Sequence, residues 1–103
     1  MQVSFSSNKF RKICEDEKAL KMTYGDRAQS IIQRINEFMA AESLFDISKL
    51  PHTRLHPLTR DLKGYYAVHI KQPYRIVLWP ENGDRSDWKT ITKIEIVKIE
   101  DYH

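Results

Sequence analysis

The sequence is poor in cysteine, glycine and proline, and it contains no long hydrophobic run. Cys14 is the one cysteine, so the chain cannot form an internal disulfide, which favours a reducing compartment. Apolar runs such as residues 76–79 are far shorter than the ~20 residues that a membrane-spanning helix needs. The first residues lack the hydrophobic stretch of a secretory signal. We therefore expect a soluble, cytoplasmic protein that does not associate with membranes.

With 103 residues the sequence predicts a single domain, residues 1–103, built around one core.

Positive charge is concentrated in one segment of the chain. Residues 54–79 carry five basic side chains and one acidic one, whereas the rest of the chain carries twelve basic and thirteen acidic ones. The whole net charge of +3 therefore comes from this segment. Such a segment is a candidate surface for polyanions, because each neutralised phosphate releases counterions.

The first half of the chain predicts helices. Residues 2–5 alternate polar and apolar side chains, which favours a short edge strand. A short helix is predicted over residues 9–18, after a cluster of capping residues. In residues 27–41 apolar side chains recur every three or four positions, so this segment predicts a long amphipathic helix. Residues 42–49 predict one further helical turn.

The second half predicts a sheet. Strands are expected at residues 54–58, 65–71, 74–79 and 90–99, separated by tight turns and one polar loop. Pro57 cannot donate a hydrogen bond, so its strand belongs at an edge. Apolar positions in the last strand change phase midway, which predicts a bulge or burial on both faces. The pattern as a whole predicts an α+β fold, with an N-terminal strand and two helices packed on one face of a small antiparallel sheet.

Side chains of the kinds that can cleave RNA are predicted to come together on the sheet segments. Antiparallel order brings the last residues of the chain beside the middle strands. Imidazole, carboxylate and phenol groups can take the proton of a 2′-hydroxyl and return one to the departing 5′-oxygen. A guanidinium can stabilise the charge that builds on the phosphate. The candidates are His69, Lys71, Arg75, Asp101, Tyr102 and His103.

A metal site is the alternative use of the same side chains. The zinc-type ligands in the sequence are His52, His56, His69, Asp101 and His103. On a helix, His52 and His56 would share one face, but the flanking Pro51 and Pro57 favour an extended segment. We therefore predict no metal and no cofactor.

Aromatic side chains of the sheet segments offer a second way to hold RNA. Tyr65, Tyr66, Tyr74 and Trp79 can stack on bases of a single strand. The strand pattern favours a core position for Tyr66 and Trp79.

Three stretches of the sequence resemble a known family. LHPLTRDLKGYYAVHI, then PYRIVLW, and a chain that ends in DYH are similar to the RelE/ParE superfamily of bacterial toxins. Within it the sequence most resembles the HigB branch, also called the plasmid-maintenance killer proteins. The resemblance covers residues 50–103, and the first half of the chain matches only in its order of elements. It implies a compact, microbial-ribonuclease-like domain that cleaves messenger RNA in the ribosomal A site without a metal and leaves a cyclic phosphate.

The resemblance also implies which residues act. By motif, the family's catalytic positions fall on His56, Arg75, Asp101, Tyr102 and His103. Basic residues nearby would hold ribosomal and messenger RNA. The candidates for that role are Arg54, Arg60, Lys63, His69 and Lys71.

One position departs from the family pattern. The branch often has a lysine where this chain has Thr59, which leaves open whether Arg60 replaces it and which residue is the acid and which the base.

Partners and alternatives follow from the same resemblance. It implies a cognate antitoxin, typically a helix-turn-helix protein of the HigA type, besides ribosomes and messenger RNA. Members of the ParE kind instead poison DNA gyrase and cleave no RNA. A basic RNA-binding module without catalysis is the third interpretation, and it predicts affinity that falls steeply with salt.

Overall fold

The architecture is a mixed sheet with helices on one side. The structure, a computed structural model, describes residues 1–102. Within that range the strands are β1 (Gln2–Phe5), β2 (His56–Pro57), β3 (Tyr66–His69), β4 (Tyr74–Pro80) and β5 (Lys93–Asp101). The α-helices are α1 (Asn8–Cys14), α2 (Glu17–Tyr24), α3 (Ala28–Ala40) and α4 (Leu44–Ser48). No helix within these residues is long and apolar enough to cross a membrane.

The sheet confirms the predicted α+β class and corrects one detail. Its strand order is β1-β5-β4-β3-β2, and the pairs from β2 to β5 are antiparallel, as predicted. β1 pairs with β5 in parallel, with Val3 opposite Ile94, so the sheet is mixed. The reason is that β1 and β5 are joined through the whole intervening chain, which allows a parallel arrangement that a short hairpin would forbid. β2, which contains Pro57, lies at the other edge, as predicted.

The core lies between the helices and one face of the sheet. Ile31 and Phe38 of α3 are fully buried against strand residues such as Ile76, Leu78 and Ile96. All four helices of the described chain contribute buried side chains to this core. The predicted apolar stripe of the long helix is confirmed at Ala28, Ile31, Ile35 and Phe38, whereas Met39, which was expected on the same stripe, is exposed. Each fully buried aliphatic or aromatic side chain contributes roughly 1.5–3 kcal/mol.

The predicted first helix is two helices. α1 begins after Ser7, whose hydroxyl accepts from the Phe10 amide at 3.0 Å, and it ends at Cys14. Asp16 is extended and its carboxylate accepts from the Lys18 amide at 3.0 Å, which starts α2. An aspartate that caps a new first turn breaks the helix that periodicity alone extends to residue 18.

The predicted bulge lies in β5. Val77 pairs with Lys98, but the next residue of β4, Leu78, pairs with Ile96. Val97 is therefore the extra residue, and the alternation of β5 reverses at this point. Before the bulge the even-numbered residues Ile94 and Ile96 point to the helices, and after it the even-numbered residues point away from them.

Candidate active site

The candidate site lies on the face of the sheet that faces away from the helices. Residues directly opposite each other on neighbouring strands share a face. His56 pairs with Ala67, two positions before His69 on β3. His69 in turn pairs with Arg75, and Arg75 pairs with Glu100. Four adjacent strands thus present two imidazoles, a guanidinium and a carboxylate on one surface, which we call the open face.

The open face also has a small apolar patch. Leu58, Ala67 and Val77 are buried there, with Leu62, Tyr65 and Val97 packed against them. The patch lies next to the imidazoles along the strand direction. It separates them from the other end of the open face, where β3 begins and β4 ends.

His56 is oriented by the chain just before it. A turn at Pro51–Thr53 is closed by the buried hydroxyl of Thr53, which donates to the Leu50 carbonyl at 2.8 Å. Arg54 then takes a left-handed conformation with φ of 46°, and its carbonyl lies 2.7 Å from Nδ1 of His56. A carbonyl only accepts, so Nδ1 carries the proton and donates it. The other ring nitrogen, Nε2, is the one available for proton exchange.

His69 is the centre of the cluster. Its ring centroid is 6.0 Å from that of His56, and its two nitrogens are 3.3 and 3.4 Å from the phenol oxygen of Tyr102. Burial lowers the pKa of His69 from its usual value, and the positive charges of Arg54, His56 and Arg75 lower it further. At neutral pH His69 is therefore a neutral imidazole, which can accept a proton.

Arg75 is held by a carboxylate. Its Nη2 and Nε donate to Oε1 of Glu100 at 3.0 and 3.2 Å, and both side chains are largely buried. The other oxygen of Glu100 is 3.7 Å from Nζ of Lys98. The guanidinium also lies 5.3 Å from the ring centroid of Tyr102. Glu100 thus occupies the position that a phosphate oxygen would take, and an incoming phosphate has to compete with it.

Tyr102 joins the cluster because of the bulge. Its amide donates to the Pro73 carbonyl at 3.2 Å, which extends the β4–β5 pairing beyond Asp101. As an even-numbered residue after Val97, it lies on the open face with Glu100. Without the extra residue the alternation would turn both side chains towards the helices.

Some predicted site residues lie elsewhere. Asp101 is exposed and pairs with Tyr74, whose ring packs against the helix-side core, so Asp101 belongs to the other side of the sheet from Tyr102. Lys71 follows the end of β3, and its Nζ pairs with Asp26 at 2.9 Å, beside α3. This contact lowers the pKa of Asp26. The prediction for His103 falls outside the described residues.

The other predicted RNA-binding residues are spread along the β2 side of the open face. Arg54 is exposed next to the imidazoles. Arg60 and Lys63 are exposed in the connection between β2 and β3, where they line a cleft of about 350 Å³. Arg54 borders the cluster, whereas Arg60 and Lys63 lie beside Gly64 and Tyr65, towards the other end of β3.

Sequence reasoning missed Glu100, and the structure places His69 at the centre of the cluster. The signal for Glu100 is the phase change in the last strand, since a bulge at Val97 puts it opposite Arg75. The resemblance assigns His69 to RNA binding, but its neighbours in the structure are those of a proton-transfer group.

Among the described residues the structure shows neither a group of metal ligands nor a reactive thiol. Among residues 1–102 no three His, Cys, Asp or Glu side chains are grouped to hold a metal ion. His52 lies 2.6 Å from Glu37 of α3 and is separate from His56. Burial, together with the nearby charge of Glu15, raises the pKa of the Cys14 thiol to about 12, so it stays protonated and is a poor nucleophile.

Comparison with known proteins identifies the fold. No protein-family model matches the sequence, and no curated protein matches it. A solved structure described as a YoeB/ParE toxin from Agrobacterium tumefaciens is similar to the chain over 100% of both chains, with a TM-score of 0.58 and 14% sequence identity. At this identity the likeness shows a shared fold. The predicted RelE-like fold is therefore confirmed, and the HigB branch stays a prediction.

Proposed function

We propose that the chain is the toxin of a type II toxin–antitoxin system and inhibits translation by cutting messenger RNA in the ribosomal A site. The cluster of His56, His69, Arg75 and Tyr102 on the open face carries this proposal. The fold shared with a YoeB/ParE toxin also supports it, as does the resemblance of residues 50–103 to the HigB branch. Fold alone does not fix function, so the cluster decides between activities.

The reaction we propose is a transesterification within RNA, in which the 2′-oxygen displaces the 5′-oxygen and a 5′-hydroxyl end is released. His69, which is neutral, takes the proton from the 2′-hydroxyl as that oxygen attacks the phosphorus. His56 gives a proton from Nε2 to the departing 5′-oxygen, and the Arg54 carbonyl on Nδ1 holds the ring in place. The products are a 2′,3′-cyclic phosphate and a 5′-hydroxyl, so no metal or cofactor is consumed.

Arg75 and Tyr102 complete the proposed site. Arg75 exchanges its contact with Glu100 for the phosphate and stabilises the charge on the phosphorus oxygens. The phenol of Tyr102 holds the ring of His69 in place. His103 and Asp101 stay in the proposal through the resemblance alone, since His103 is outside the described residues and Asp101 belongs to the other side of the sheet.

The shape of the site supports dependence on the ribosome. The cluster lies on the surface of a sheet, and free RNA would have few contacts that align it for in-line attack. A ribosome presents the message in a fixed position, with Arg54, Arg60 and Lys63 placed to contact RNA around it. A toxin of this kind requires restraint in its own cell, so we propose a helix-turn-helix antitoxin of the HigA type as the partner and the cytoplasm as the location.

Programmed ribosomes test the proposal. Ribosomes carrying a defined message are incubated with the protein, and cuts are mapped by primer extension. We expect cuts at A-site codons, which disappear with His56→Ala and with Arg75→Ala. His52→Ala is the matched control, because His52 is an exposed histidine away from the open face. Equal cutting by His56→Ala and His52→Ala would reject the proposed site.

The second candidate is a toxin that acts on DNA gyrase. The similar structure is described as a YoeB/ParE toxin, and the resemblance already named toxins of the ParE kind as inhibitors of DNA gyrase. A gyrase inhibitor would cause gyrase-dependent DNA breaks on expression, and these breaks would persist in His56→Ala. The proposed nuclease predicts no such breaks.

A further inference from the structure

The open face has two regions of charged and aromatic side chains, and the proposed chemistry uses only the one around His69. The second lies at the other end of β3 and β4, around Trp79. Trp79 is four residues from Arg75 along β4, and Tyr65 is four residues from His69, so the regions are separated by about 13 Å. The apolar patch of Leu58, Ala67 and Val77 lies between them.

Trp79 is unusually exposed for its position. The sequence pattern favours a core position, but the residue is 36% exposed, and by alternation its side chain lies on the open face. The ring is held in place: it packs against Gly64, where an added Cβ would lie 3.2 Å from the indole. Its centroid is 4.6 Å from that of Tyr65. A rigid, partly exposed indole offers a flat surface on which a nucleobase can stack.

One cation contacts this indole, and two more line the cleft beside it on the side of β2. The guanidinium of Arg85 lies 4.6 Å from the ring centroid of Trp79, and its Nε donates to the Gly64 carbonyl at 3.0 Å. Arg60, Lys63 and Arg85 all line the same cleft, which is lined by no acidic side chain. Within residues 1–102 none of the three forms a salt bridge. Arg60 also has a positive φ of 56°, a backbone conformation that costs free energy in a non-glycine residue.

One carboxylate determines on which side of the indole a polyanion can lie. Glu95 pairs with Trp79 across the β4–β5 ladder, on the side away from the cleft. A polyanion is therefore attracted to the β2 side of the indole and repelled from its β5 side. This places the phosphates over Arg60, Lys63 and Arg85, with a base directed at Trp79.

We infer that Trp79, Arg85 and the cleft beside them form a second RNA subsite, which binds a single-stranded nucleotide that flanks the cleavage position. The inference rests on the proposed function for the identity of the ligand. Arg85 and its neighbouring cations neutralise the phosphates, and the indole stacks on the base. This subsite positions the strand, and none of its residues takes part in proton transfer.

Fluorescence of Trp79 tests the inference directly. Trp88 is the other tryptophan, so Trp88→Phe leaves Trp79 as the single tryptophan, which is excited selectively at the red edge of the absorption band. The probe is a twelve-nucleotide RNA with 2′-O-methyl groups, which cannot be cut because the attacking hydroxyl is blocked. We expect the single strand to quench Trp79 and the same RNA in a duplex to quench it little, because paired bases are not free to stack.

Substitutions separate stacking from charge. Trp79→Leu should weaken binding roughly tenfold, as loss of one stacked base does. Arg85→Gln should weaken binding and reduce the slope of log affinity against log salt by about one. Lys12→Gln, an exposed cation on α1, is the matched control and should change neither. On ribosomes Arg85→Gln should raise KM and leave kcat within about twofold, since uniform binding is lost.

The outcomes are distinguishable from failure of the proposed function. Cuts on ribosomes without quenching, and with Arg85→Gln equal to Lys12→Gln, would overturn this inference alone. Quenching by the single strand without any cutting would support the subsite and reject the nuclease. Quenching by an acidic peptide but not by RNA would assign the surface to a protein partner and overturn the inference. The quenching measurement needs no substitution of Trp79, so it holds even if Trp79→Leu fails to fold.

Discussion

The two faces of this sheet carry opposite chemistry on the same strands. On the helix side, Ile76 and Leu78 of β4 are fully buried in the core. On the open face, Arg75 and Trp79 of the same strand retain exposure and contact charged or aromatic neighbours. One face is expected to determine whether the chain folds, and the other what it does. Substitutions on the two faces should therefore have separable effects.

The largest expected effect is on the open face. His69→Ala should lower the rate of A-site cutting by about 100-fold or more, because positioned proton transfer contributes that much. The free energy of unfolding should change little, since the ring is partly exposed. Single-turnover cutting on programmed ribosomes and urea unfolding measure the two quantities. If cutting were unchanged while stability fell, His69 would be a structural residue.

Phe38→Ala tests the other face. Phe38 is fully buried in α3, so its removal should lower the free energy of unfolding by about 3–5 kcal/mol. The cutting rate per folded molecule should be retained. Met39→Ala is the control on the next residue, which is 62% exposed, and it should change stability by no more than about 0.5 kcal/mol. A loss of cutting that exceeds the loss of folded protein would show that the two faces are coupled.

Glu100→Gln should have a smaller effect, of opposite sign. It replaces the carboxylate that competes with phosphate for Arg75 by an amide, whose oxygen accepts more weakly from the guanidinium, so affinity for single-stranded RNA should rise about two- to fivefold. Binding of the 2′-O-methyl RNA measures it, with the exposed Glu42→Gln as a control for net charge. Weaker binding in Glu100→Gln would mean that Glu100 positions Arg75 rather than competing with its ligand.

The smallest effect concerns pH. The pKa of His69 is lowered on folding, so below pH of about 6.5 the unfolded chain binds more protons than the folded one. Stability should decrease as the pH falls through that value and level off below the pKa of the folded state. Comparison of urea midpoints at pH 7.5 and 5.5 should show a smaller decrease for His69→Ala than for the parent. Equal decreases would mean that the loss of stability at low pH comes from a group other than His69.

The sequence predicted the local elements better than the site. The stripe of the long helix and the alternation of β3 depend on nearby residues, and both were confirmed. The break between α1 and α2 was missed because it depends on one cap, Asp16. The side of the sheet on which each terminal residue lies could not be read from spacing. It depends on the bulge at Val97, which places Tyr102 and Glu100 on the open face and Asp101 on the other side.

Long-range pairing explains the remaining differences. Lys71 continues the alternation of the strand before it, which favours the open face, but the strand ends at His69 and the side chain pairs with Asp26. Trp79 follows an apolar run and was expected in the core, yet its ring lies over Gly64 at the surface. Both outcomes depend on contacts with residues that are distant in sequence.

The most direct test of the proposed chemistry changes one oxygen atom of the substrate. Ribosomes are programmed with a message that carries a single 2′-deoxy nucleotide at the cut position, beside an otherwise identical all-ribose message. If His56 and His69 catalyse attack by the 2′-hydroxyl, the ribose message is cut to a 2′,3′-cyclic phosphate and the 2′-deoxy position is not cut. Cutting at the 2′-deoxy position would contradict this account.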